Sequence, residues 1–174
     1  MLGRMLVAVS ILVIASAATR APLDALVGVY RHSFPDALVT GETYTGEDIL
    51  EIVKISPNTA YVRAHLDFFN GHTCGLFGVA DLEGDSLVYR DPTEPPAGHG
   101  RCVLTFSVTP DKLVFDDGEG TCQSYCGARG SFHGAAFSRA SRRAIRYLPR
   151  LLNSNEYKAA LKERADETAK APAR

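Results

Sequence analysis

A mainly β fold is predicted: an antiparallel meander of about eight strands forming a small barrel or strongly curved sheet, with a C-terminal helical extension. Three observations predict it. Apolar and polar residues alternate with period two through the body of the chain, tight-turn residues separate the alternating runs, and apolar residues at helical spacing begin only after Ser138. The 174 residues suit one domain with an appendage. A hydrophobic share of 45% excludes wholesale disorder and a multi-span membrane protein, and a net charge of -1 argues against a nucleic-acid binder.

The N-terminus reads as a secretory leader. Arg4 precedes the apolar run 5–14, which leads into Ala15-Ser16-Ala17, so residues 1–17 have the charged, apolar and small-residue parts of a signal peptide. The run is shorter than the roughly 20 residues needed to span a bilayer. Cleavage is expected after Ala17, with Ala18 next, and no Cys lies nearby to take a lipid. The mature protein is therefore expected in the periplasm or outside a bacterium.

Residues 18–138 form the expected barrel-like domain, with strands over 26–32, 49–55, 59–66, 74–81, 86–90, 102–108, 112–117 and 132–137. Alternation is clearest where Ala60, Val62, Ala64 and Leu66 oppose Tyr61, Arg63 and His65, and again in Cys102, Leu104, Phe106 and Val108. Turn signals stand at Ser56-Pro57-Asn58, Asn70-Gly71, Glu83-Gly84-Asp85 and Thr109-Pro110-Asp111. Asn70-Gly71 suits a two-residue type I′ turn flanked by Phe69 and His72. Short connections favour antiparallel neighbours, and closure removes an exposed edge; a two-sheet sandwich is the second architecture.

Export makes Cys74, Cys102, Cys122 and Cys126 a set of two disulfides rather than metal ligands or redox switches. Three pairings exist. A hairpin of 103–108 with 113–117 carries Cys102 towards residues 118–122, favouring Cys102–Cys122 with Cys74–Cys126. A local Cys122–Cys126 bridge is the rival.

Residues 139–168 are read as a basic amphipathic extension of two helices. Ala144, Ile145, Leu148, Leu151 and Leu152 make one apolar stripe, and Pro149 marks a kink or fresh start. Asn153 with Glu156 reads as a capping box for the second helix, whose stripe is Tyr157, Ala160, Leu161 and Ala165. Residues 139–174 hold ten basic and four acidic side chains, leaving 18–138 at -8. Docking of the extension on the barrel is favoured over contact with a membrane surface. Residues 169–174 are expected to be a flexible tail.

Catalytic signals are sparse. P-loop, G-x-G-x-x-G, H-E-x-x-H and G-x-S-x-G patterns are absent, and no cofactor or metal is expected. His65, Asp67 and His72 near one hairpin are read as strand residues rather than ligands. A Cys nucleophile served by His72 or His133 would require a free thiol. Three segments suit recognition instead. Phe68, Phe69 and His72 surround the Asn-Gly turn; Asp91, Glu94 and His99 lie on a Pro-stiffened loop; Tyr125 and Arg129 lie on the compact stretch 122–132.

The series Asn70-Gly71-His72-Thr73-Cys74, Gly78-Val79-Ala80, Cys102-x-Leu104 and Cys122-Gln123-Ser124-Tyr125-Cys126-Gly127-Ala128-Arg129-Gly130 resembles small exported bacterial β domains of lysozyme-inhibitor-like type, over residues 26–138. That resemblance implies a non-enzymatic protein-binding barrel that pushes a loop into a muramidase cleft. A lipocalin-like carrier of a small apolar ligand, with Gly28-x-Tyr30 in the first strand, is the alternative, and a Cys/His-dependent enzyme the second.

Overall fold

The computed structural model describes residues 23–95, 97–98 and 100–170. The expected leader at 1–17, the end of the expected tail at 171–174, and His99 lie outside the described residues. Eight strands form one antiparallel sheet in sequence order: β1 Gly28–Ala37, β2 Thr43–Ser56, β3 Thr59–Phe68, β4 His72–Glu83, β5 Ser86–Arg90, β6 Val103–Val108, β7 Lys112–Asp116 and β8 Ala136–Ser138. The sheet curls until its two edges almost meet. Beyond β8 the chain reaches β1, where Val29 N donates to Arg143 O at 2.9 Å and Arg143 N to Val29 O at 2.8 Å. This exchange caps part of an otherwise open edge.

Alternation dictates which side chains fill the interior. Leu50 and Ile52 of β2, Ala60, Val62, Ala64 and Leu66 of β3, Cys74 and Leu76 of β4, Leu87 and Tyr89 of β5, and Leu104 and Phe106 of β6 are buried in one cluster. Phe115 completes it, with ring centroids 4.7 Å from Phe106, 6.3 Å from Phe132 and 5.5 Å from Phe137. Gly78 gives Tyr89 its room: a Cβ there would lie 2.2 Å from the tyrosine ring. The barrel is thus filled with its own side chains, and an apolar ligand could enter only by displacing them.

Four expectations need correction. The first hairpin is longer than the predicted strands 26–32 and 49–55, pairing out to Ala37↔Thr43. Residues 33–37 and 43–48 lack an apolar face, so alternation is silent there, and Pro35 is accommodated because β1 is an edge strand. The β3–β4 connection has three residues, not two, since Phe68 pairs with His72. Asn70 and Gly71 do take positive φ, 63° and 69°. A two-residue turn would have paired inward Cys74 with Asp67; the observed register pairs it with Leu66, so both apolar side chains face the core. Third, the last strand covers only Ala136–Ser138 rather than 132–137, because Gly134 turns the chain at φ 78° and leaves Phe132 buried outside the strand.

The fourth correction concerns the extension. Residues 142–147 are not helical, since Arg143 is engaged on β1; helices are α1 Leu148–Leu152, with Pro149 in its first turn, and α2 Asn155–Lys170. Ser154, not Asn153, caps α2 by accepting from Tyr157 N at 3.1 Å, while the Asn153 amide donates to Pro149 O at 2.9 Å. Ala169 and Lys170, expected in a tail, belong to α2. The extension docks on the outside of the barrel, where Leu151, Ala160, Tyr157 and Leu161 pack on Val53, Tyr61 and Val79. Arg164 bonds Asp81 at 2.7 Å across this contact. Glu51 is buried under the extension, where Arg63 and the Tyr147 hydroxyl donate to its two carboxylate oxygens. Among the described residues no helix is long and apolar enough to cross a membrane.

Candidate functional site at the loop-bearing end

In a sequential antiparallel meander, alternate connections fall at the same end of the sheet. Three of them, 57–58, 84–85 and 109–111, are tight turns at one end. The other four are 38–42, 69–71, 91–102 and 117–135, and they share the opposite end. All three segments expected to serve recognition therefore lie at that end, and hydrogen bonds and a disulfide join them.

The bridges are Cys74–Cys126 and Cys102–Cys122, so all four cysteines are paired and no thiol remains as a nucleophile. Cys74–Cys126 fastens the 122–130 stretch to the start of β4, and Gly127 N donates to Thr73 O at 2.8 Å beside it. Gly130 lies under this bridge: a Cβ would come 2.7 Å from Cys74 Sγ and 3.2 Å from the Phe68 ring. Only glycine admits that approach. His72 sits against Gly127, whose Cβ would meet its ring nitrogen at 3.3 Å. Phe68 packs on the core, whereas Phe69 is 47% exposed at the tip. The tip is held from the β1–β2 side as well, by Gly71 N donating to Tyr44 Oη and Val39 N to Asn70 Oδ1, each at 3.1 Å.

The 91–102 loop joins through Tyr125, whose hydroxyl donates to Asp91. Tyr125 is consequently half-buried and braces two loops, rather than projecting freely. Arg129 is exposed on the same stretch. Glu94 is exposed and pairs with Arg101 at 3.2 Å. Between the loops lies a cleft of about 770 Å³, with Asp91, Glu94, Glu119, Arg101 and Tyr125 in its wall. Three carboxylates against one guanidinium make its lining acidic.

Burial, and then the bond to Asp91, raise the Tyr125 phenol from its ordinary 10.0 to about 12. The folded chain holds this proton where the unfolded chain has released it. The stability it contributes is therefore complete below about pH 10 and is lost as pH rises towards 12. Asp91→Ala removes the second cause, so an ultraviolet difference titration should find Tyr125 ionising at lower pH than in the parent, though still above an exposed tyrosine.

His65 Nε2 lies 3.0 Å from Asp67 Oδ1 on the outer face of β3, and His72 is turned away towards Gly127, so these three do not form a ligand set. Sequence reading missed a different group, Asp116, Asp117 and His133, whose ligand atoms all lie within 4.8 Å of one another. The consecutive aspartates at a strand end were a visible signal; the approach of His133, from the far end of a long loop, was not. No family model, curated protein or solved structure matches the chain.

Proposed function

We propose that this is a non-enzymatic binding protein of the bacterial envelope, periplasmic or secreted, whose loop-bearing end engages a cationic protein and inhibits a lysozyme-type cell-wall hydrolase. One observation carries the reading: three loops, tied by disulfides and hydrogen bonds, converge beside an acidic cleft. Loops ordered before binding lose little conformational entropy on association. Exposed Phe69 and Arg129 are the residue types that anchor interfaces, and the carboxylates of Asp91, Glu94 and Glu119 would steer a basic partner. The filled barrel favours this reading over a carrier of an apolar ligand.

The test is lysis of bacterial cell walls by a chicken-type lysozyme in the presence of the exported, oxidised protein. Stoichiometric inhibition is expected, weakened about tenfold or more by Phe69→Ala and by Arg129→Ala, as for interface anchors worth at least about 1.4 kcal/mol. Undiminished lysis at large molar excess rejects inhibition of that enzyme class. Inhibition unaffected by both substitutions rejects this contact surface.

A further inference from the structure

Leu113 and Phe115 mark the inward face of β7, and the next inward position is Asp117, which is only 2% exposed. Its carboxylate is poorly satisfied by the protein. Oδ2 accepts from Cys122 N at 3.4 Å, whereas Oδ1 is buried with no hydrogen-bond partner. A buried carboxylate oxygen without a donor is costly, and folded chains provide for such atoms with a donor, a water or a cation.

The surroundings supply what a cation requires. Asp116 and His133 each bring a ligand atom within 4.8 Å of that of Asp117. Asp116 Oδ1 lies 3.3 Å from His133 Nδ1. That separation is about the edge between two ligands held roughly 2.0–2.1 Å from a tetrahedral ion. Gly118 N donates to Asp116 Oδ1 at 2.9 Å, fixing that carboxylate from behind. The neighbouring Cys102–Cys122 bridge anchors the residue whose N–H meets Asp117.

We propose that Asp116, Asp117 and His133 bind one divalent transition-metal ion of the zinc type. The imidazole sets the ion class, because calcium and magnesium prefer all-oxygen shells while zinc accepts mixed nitrogen and oxygen donors. Three protein ligands leave one tetrahedral position for water. The ion gives the Asp117 oxygen its missing partner and ties residue 133 of the 117–135 loop to the end of β7, stiffening the segment that carries Arg129. The site stands independently of the partner's identity.

The test is zinc uptake by the oxidised, chelator-treated protein in equilibrium dialysis, with cobalt absorption reporting coordination. One equivalent is expected, with the visible bands of tetrahedral cobalt. Affinity should fall at least tenfold in His133→Ala, whose exposed side chain can be removed without opening the core, and in Asp117→Asn, which preserves volume. His65→Ala, on the outer face of β3, should bind as the parent does. No uptake by the parent, or parental affinity in either His133→Ala or Asp117→Asn, overturns the site.

Discussion

Replacing Cys74 and Cys126 together by Ser should lower stability by about 4 kcal/mol. The bridge joins residues 52 apart, and in the chain-entropy description a closed loop of that length restricts the unfolded chain by about this amount. Cys102–Cys122 spans only 20 residues, so its removal should cost about 3 kcal/mol. For a protein of this size, about 4 kcal/mol corresponds to a fall in melting temperature of roughly 8–16 °C. The longer bridge also holds the proposed recognition surface, because Gly127, Gly130 and Phe68 are packed around it. The double-Ser protein should therefore bind its partner more weakly even at temperatures where it remains folded. Calorimetric melting of parent and both double-Ser proteins measures this order; a smaller loss for the Cys74–Cys126 pair would contradict it.

Phe115→Ala should cost about 3–5 kcal/mol, as expected when a large ring is removed from a core that cannot close over the space. Phe115 is fully buried and touches three other phenylalanines that belong to β6, the 117–135 loop and β8. Its loss would loosen the part of the barrel from which the long loop departs. Phe69→Ala should behave in the opposite way. That ring is nearly half exposed, so melting should change by no more than about 0.5 kcal/mol, while partner affinity falls. Denaturant unfolding of the two variants side by side separates a residue that holds the fold from one that the fold presents. Equal losses would contradict that division.

Legibility in the sequence followed the reach of each physical rule. Alternation is local, so the inward faces of β3 and β6 could be read directly, and so could an antiparallel meander of eight strands. The Cys102–Cys122 pairing followed from one predicted hairpin. The arm at 33–37 and 43–48 was hidden because its inner face carries Asp36, Gly46 and Asp48 beside Phe34 and Tyr44, and so leaves no apolar periodic signal. The Asn70-Gly71 turn displayed the right dihedrals but the wrong length, since the demand that Leu66 and Cys74 share the interior outweighs the local preference for two residues. Burial of Glu51 depends on Tyr147 arriving from the docked extension, almost a hundred positions later, and no window along the chain contains both. His133 met the paired aspartates for the same long-range reason. Convergence of the segments proposed for recognition was implicit in the meander, whose alternate connections must share an end.

The most direct measurement is hydrogen exchange of the oxidised protein alone and saturated with a lysozyme-type partner. Slowed exchange should appear at 69–73, 91–102 and 123–131, with 57–58, 84–85, 109–111 and α2 unchanged. Protection confined to the tight-turn end or to the helical extension, with the long loops exchanging as in the free protein, would contradict recognition by the loop-bearing end.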